Sequence, residues 1–294
     1  MYSYQSKVRL GAVTLNVSNL ELEIQYYQKV LGLDIISQTS TDAISGVVST
    51  QTELVRLKQV PANLSKTFGL YHIAILVPKR SDLGDFLNHL IQNKVPIIGG
   101  ADHGYSEAIY LEDPEGNGIE VYHDNHETVW DKQGDQIIAI TEELDVAGIL
   151  ADATGQSSDF HIPAQTKMGH IHLSVKSVAE TSHFYQVLFG MTEKFAVPSG
   201  SWIASGDYHH HFAFNSWEGT NLANHLDDTP GLFGFTVYVV TSDDLARIKV
   251  KADELGRLQS YTDHSLVIED HSNNQILVEL EAYIESLMLK RFHA

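Results

Sequence analysis

One strand–helix–strands unit recurs four times along this chain, and that recurrence limits its fold more than any other feature. The segments VTLNVSNLELEIQYYQKVLGLDII (13–36) and IHLSVKSVAETSHFYQVLFGMTEKF (171–195) share a strand of alternating apolar and polar residues, a Ser-containing turn and a helix. Both leave the helix through Tyr-x-x-apolar-apolar-Gly-apolar, with Gly32 and Gly190 where a helix C-cap calls for positive φ. A second pair, GLYHIAILVPKRSDLGDFLNHL (69–90) and GLFGFTVYVVTSDDLARIKVKA (231–252), aligns without gaps from Gly69 to Leu83 against Gly231 to Leu245. Short strands follow each helix and end in YLEDPEGNGIEVY (110–122) and VIEDHSNNQILVEL (267–280). Asp-Pro-Glu-Gly-Asn reads as a turn joining the last two strands of a small sheet.

The units fall at 8–57, 69–123, 168–216 and 231–285. Along the chain this gives a first domain (1–126), a linker (127–167), a second domain (168–285) and a tail (286–294). The linker carries a predicted helix over 141–152 followed by the polar stretch TGQSSDFHIPAQT.

The βαβββ unit resembles the vicinal-oxygen-chelate superfamily, which groups glyoxalases, bleomycin-resistance proteins and extradiol dioxygenases. The motifs that carry the likeness are His-x-x-apolar-x-Val ahead of a helix (His72 to Val77, His170 to Val175), the helix exit YQKVLGL, and Asp-Pro-x-Gly-Asn-x-Ile-Glu (Asp113 to Glu120). It spans nearly the whole chain apart from the linker. It implies an α+β class in which four βαβββ modules pair into two cupped mixed sheets. It also places metal ligands on the first and last strands of a module.

Module by module, the first-strand position holds Ala12, His72, His170 and Gly234, and the last-strand position holds Glu120 in module 2 but Leu277 in module 4. Alanine, glycine and leucine cannot bind a metal, so a complete set arises only if module 2 meets module 3: His72, Glu120 and His170. Either those modules pair within one chain, or a dimer interface completes the site. The linker of about 40 residues, at about 3.3 Å per extended residue, reaches far enough to favour the first. Glu279 shares a strand face with Leu277 and reads as an exposed or structural carboxylate rather than a displaced ligand.

Two histidines and one carboxylate leave open positions on a divalent metal, an arrangement suited to Fe(II) and O2, with Mn(II) as the alternative ion. The run GDYHHHFAF (206–214) is similar to the His-His-x-apolar-Ala-Phe strand of extradiol dioxygenases, and by that match His210 is the acid/base group. Strand alternation would put His209 and His211 on one face and His210 on the other. A solvated histidine tract or an adventitious metal site is the bland alternative. Tyr110 precedes Glu120 by ten residues, the family's spacing for a tyrosine near the substrate oxygens, and His103 matches a further pocket histidine in looser register. Trp202, Phe212, Phe214 and Trp217 flank the histidine run and read either as a pocket for an aromatic ring or as core.

The likeness therefore implies an extradiol dioxygenase acting on catechol or a substituted catechol with O2 to give a 2-hydroxymuconic semialdehyde-type product. Two other readings stay open. One is a glyoxalase-like lyase or thiol transferase on Ni(II) or Zn(II), whose sites usually carry a fourth protein ligand. The other is a metal-free binding module of the bleomycin-resistance kind. Composition narrows the field further. The absence of cysteine leaves His and carboxylates as the only strong metal ligands, and the formal charge of −19 opposes nucleic acid and anionic membranes. No apolar run reaches a membrane span, and no signal-peptide pattern, P-loop, dinucleotide fingerprint or Gly-x-Ser-x-Gly is present, so a cytoplasmic location is expected. A homo-oligomer is compatible with all of this.

Overall fold

In the computed structural model, residues 6–62, 66–155 and 159–281 are described; the tail expected at 286–294 lies outside them. The first unit runs β1 (Val8–Val17), α1 (Leu20–Lys29), β2 (Asp34–Gln38), β3 (Asp42–Val47) and β4 (Thr52–Gln59). The second runs β5 (Gly69–Leu76), α2 (Arg80–Gln92), β6 (Gly99–Asp102), β7 (Ser106–Glu112) and β8 (Gly118–Asp124). The connection holds β9 (Lys132–Gln133), β10 (Gln136–Ile137), β11 (Glu142–Glu143) and α3 (Val146–Asp152). The third unit comprises β12 (Lys167–Ser174), α4 (Val178–Phe189), β13 (Thr192–Val197), β14 (Gly200–Ala204) and β15 (Phe212–Asn215). The fourth comprises β16 (Gly231–Val239), α5 (Ser242–Glu254), β17 (Leu258–Tyr261), β18 (Ser265–Glu269) and β19 (Gln275–Leu280).

Local chemistry sets the helix ends. Ser177 accepts from the Glu180 amide to start α4, Asn19 caps α1 and Thr241 caps α5. Gly190 closes α4 in the left-handed region at φ 68°, as its place in the repeat demands. The expected helix at 141–152 is shorter. Residues 142–143 add a strand to β6, and Asp145 then caps α3 through the Gly148 amide. The α3 backbone passes so close to α2 that a Cβ on Gly84 would stand 2.4 Å from the Ile149 carbonyl oxygen. Arg80 secures the same contact by bonding Glu107, Asp145 and Asp152.

The units pair crosswise. One sheet has the order β17-β18-β19-β16-β1-β4-β3-β2, from units 1 and 4, and the other β11-β6-β7-β8-β5-β12-β15-β14-β13, from units 2 and 3. Each is joined at its centre by an antiparallel seam, β1 with β16 and β5 with β12. A single core fills the space between sheets and helices: Phe212 and Phe214 pack on Tyr185 of α4, and Phe212 also meets Phe235 of β16 in the other sheet. Two related bonds tie the sheets together. The Tyr27 hydroxyl of α1 donates to Asp113 at 3.1 Å, and the Tyr185 hydroxyl of α4 donates to Asp270 at 2.8 Å. Each aspartate heads the turn before the last strand of its unit, so a helix of one sheet grips a turn of the other.

Candidate metal centre

Register explains why residues distant in sequence share one spot. Across the second sheet, Tyr110 of β7 faces Glu120 of β8, Glu120 faces Ala74 of β5, and Ala74 faces His170 of β12. His72 lies two residues before Ala74 and therefore on the same face. Ala74 carries only a methyl group, and the three longer side chains close over it. His72 Nε2 and His170 Nε2 are 3.3 Å apart, and Glu120 Oε2 lies 3.0 Å from the first and 3.2 Å from the second. This is the one group of three or more His, Asp and Glu side chains among the described residues with donor atoms close enough to share an ion.

The donor set fits a divalent metal. Ligands about 2.1 Å from a metal and at right angles to one another stand about 3 Å apart, which matches this triangle. Burial opposes ionisation of Glu120, yet His170 and hydrogen bonds from both histidines hold its carboxyl well below the usual range. Burial pushes His170 down to about 4 against the pull of Glu120, so it presents a neutral ring, the form that binds metals.

The triangle opens into a cavity of about 640 Å³. His210 stands on one side, 4.1 Å from His170 between ring centres and 4 % exposed. Burial, then the neighbouring imidazoles of His170, His209, His172 and His72, push His210 well below the ordinary histidine range. The expectation that residues 209–211 lie on a strand needs correction. The ladder reaches back only to the His211 backbone, which bonds Ile203 and Ile171, and after Gly206 (φ 71°) the chain bends, so His209 and His210 are neighbours rather than on opposite faces. Their Nδ1 atoms lie 2.7 Å apart, while His211 turns towards Ser205. The run is thus not a solvated tract: all three histidines are buried.

His103 and Tyr110 also reach the cavity. His103 Nδ1 lies 2.9 Å from the Ile140 carbonyl oxygen and its Nε2 lies 2.7 Å from the Tyr110 hydroxyl. Burial, followed by the charge of Glu120, raises the Tyr110 hydroxyl far above its usual range. On the other side of His72 the lining turns aromatic. His172 is 4.8 Å from His72, Tyr71 is 4.9 Å from His172, and Trp202 and Trp217 stand beside them. The four aromatics near the run therefore divide: Trp202 and Trp217 line the cavity, whereas Phe212 and Phe214 belong to the core.

Sequence reasoning missed His172, although its place two residues after His170 on a strand signals a shared face. It also missed Asp124 at the end of β8, which bonds His209 at 2.9 Å and which no motif marks. In the first sheet no group of three such donors converges among the described residues. Arg56 bonds Glu53 and Thr236 there, and burial, then Arg56 in the opposite sense and Glu53, leaves the Glu279 carboxyl raised.

Similarity to known proteins converges on the same architecture. The family model of the Glyoxalase/Bleomycin resistance protein/Dioxygenase superfamily matches residues 9–121 and 167–277. A catechol-2,3-dioxygenase of Bacillus subtilis is 32% identical over 278 residues, covering 92% of this chain and 96% of that protein. A crystal structure of a putative dioxygenase from Bacillus subtilis superposes with a TM-score of 0.65 at 12% identity, over 95% of this chain and 86% of that one. Glyoxalase I from Zea mays does so with a TM-score of 0.58 at 13% identity, over 96% of both chains, and these two likenesses speak to the fold. With its two cupped sheets of paired βαβββ units, this chain belongs to the glyoxalase/bleomycin resistance protein/dioxygenase superfamily.

Proposed function

We propose that this protein is an extradiol dioxygenase that opens the ring of catechol or a substituted catechol with O2, using Fe(II), or Mn(II) in its place, held by His72, His170 and Glu120. The observation that carries the reading is the triangle of two imidazole nitrogens and one carboxylate oxygen beside a buried, uncoordinated histidine. The 32% identity to a catechol-2,3-dioxygenase over nearly the full chain supports it.

Bound there, the metal supplies open positions for the diol and O2 and lowers the proton affinity of a coordinated hydroxyl. The chain's own groups do the rest. A catechol hydroxyl has a pKa near that of tyrosine, about 10, so its second proton needs an acceptor. His210 takes that proton and returns it as the ring opens, so that one C–C bond beside the diol breaks and both atoms of O2 enter the product. Tyr110, held by His103, hydrogen-bonds the substrate oxygens. The aromatic wall of Tyr71, Trp202 and Trp217 receives the ring and keeps water away from it.

A lyase or thiol-transferase centre with a fourth protein ligand has less support, because only three donors converge among the described residues. The test is anaerobic loading with Fe(II), followed by catechols and air. A yellow semialdehyde with matching O2 uptake is expected; no product and no O2 uptake across a catechol panel would sink the reading.

A further inference from the structure

His210 does not sit alone. Its Nδ1 meets His209 Nδ1 at 2.7 Å, and His209 Nε2 meets Asp124 Oδ1 at 2.9 Å. Asp124 Oδ2 also accepts from the Tyr208 hydroxyl at 3.0 Å, and Tyr208 in turn shares a 2.6 Å contact with the Tyr122 hydroxyl. The ring of His209 is clamped in its plane: Tyr105 stacks on it at 4.2 Å and 13°, and Trp130 meets it edge-on at 5.4 Å. Asp124, His209 and His210 thus form a line from a side chain with 21% exposure to a buried ring at the cavity.

We propose that Asp124 is a positioning residue which, through His209, sets both the ring orientation and the tautomer of His210. The argument is one of hydrogen-bond direction. A carboxylate only accepts, so His209 Nε2 must carry the hydrogen that points to Asp124. On the proposed arrangement His209 is the singly protonated link, and its one N–H leaves Nδ1 as a lone pair. Two ring nitrogens 2.7 Å apart need one hydrogen between them, so His210 Nδ1 supplies it. His210 Nε2 is then bare, at the end of the ring turned away from His209. That nitrogen can accept a proton without any rearrangement of the ring. The opposite tautomer would leave His210 unable to serve as a base.

The inference rests on His210 being the proton carrier of the proposed reaction, and the two can fail separately. The direct probe is a long-range 1H–15N spectrum of the full chain loaded with Zn(II), a diamagnetic ion for the same donors. The expected pattern is hydrogen on Nδ1 and a bare Nε2 for His210, and the reverse for His209. In Asp124→Asn the Tyr208 hydroxyl, which donates to Oδ2 in the wild type, holds the amide oxygen, so the NH2 faces His209 and should invert both rings. In the Fe(II)-loaded variant kcat should then fall about 100-fold or more while KM and metal content stay near wild type. Asp124→Glu should restore part of the rate and the wild-type tautomers. A wild-type His210 with hydrogen on Nε2 overturns the inference even if no variant folds, as does an Asp124→Asn protein with unchanged tautomers and kcat. If the tautomers are as stated but His210→Ala keeps full kcat, the positioning stands and the proton-carrier reading falls.

Discussion

The Tyr110 hydroxyl stands 2.7 Å from His103 Nε2, and a third group fixes the ring that holds it. His103 Nδ1 lies 2.9 Å from the Ile140 carbonyl oxygen, which can only accept, so Nδ1 carries a ring hydrogen and the imidazole is anchored with Nε2 towards the tyrosine. A loop from the connection between the halves thereby aims a tyrosine on β7. Tyr110→Phe removes the hydroxyl, and His103→Ala leaves it free to turn. Each should lower kcat by about 10–100-fold, the range for a hydrogen bond to a charged group, with metal content unchanged. Steady-state kinetics alongside metal analysis checks this; a variant that loses metal instead would place Tyr110 in support of the ligands.

Metal capture should depend on each of the three donors. Glu120→Gln and His170→Ala are expected to lower bound Fe(II) at least 10-fold relative to wild type, because two donors hold an ion far less firmly than three. Elemental analysis of untagged protein after dialysis measures it. His172→Ala is the control: its ring neighbours His72, yet its Nε2 is engaged by Asn215 at 3.0 Å, so metal content should persist.

A buried carboxyl pair gives the fold a distinctive pH response. Glu23 on α1 is fully buried; burial, with Asp113 and Glu115 nearby, pushes it up to about 9, and burial pushes Asp113 up to about 6. Both folded-state values exceed the unfolded ones, so the folded chain binds more protons. Stability from this pair is full below the unfolded values and is lost as pH rises through about 6 and then about 9. Glu23→Gln should remove the later loss, at most about 2–3 kcal/mol between pH 7 and 9. Urea midpoints across that interval should be flatter for the variant; parallel curves would remove Glu23 as the cause.

Gly84→Ala tests the docking of α3. The new Cβ would meet the Ile149 carbonyl oxygen at 2.4 Å, closer than such atoms approach, so one helix must shift. A loss of about 1–3 kcal/mol is expected in urea unfolding, the usual cost of overpacking. Since Arg80 still bonds Asp145 and Asp152, the helix itself should persist by circular dichroism.

Much of the centre was legible because strands announce their phase. The pattern around His72 and His170 gives the face of each, and the Asp-Pro-Glu-Gly-Asn turn locates Glu120 relative to its strand. The crosswise pairing followed from residues unable to bind metal, Ala12, Gly234 and Leu277, rather than from any pairing signal. What escaped were contacts that depend on chain reversal. The bend after Gly206 breaks the alternation that residues 209–211 would have on a strand, so the contact between His209 and His210 has no counterpart in their spacing. Asp124 escaped for a related reason: it meets His209 only because β5 and β12 bring units 2 and 3 into one sheet.

The crosswise seam also has a consequence for the order of synthesis. His72 and His170 are 98 residues apart in the chain, and their nitrogens meet only when β12 has docked on β5. While residues 1–126 are the only part made, a nascent chain offers an ion His72 and Glu120 but no third donor. Under the proposed ligand set, the finished site could not be loaded early, and a chain that stops in the connection would carry two thirds of a centre with nothing to close it. Metal uptake would therefore be a readout of long-range completion: an ion held by all three donors would certify that both halves of the molecule have found each other.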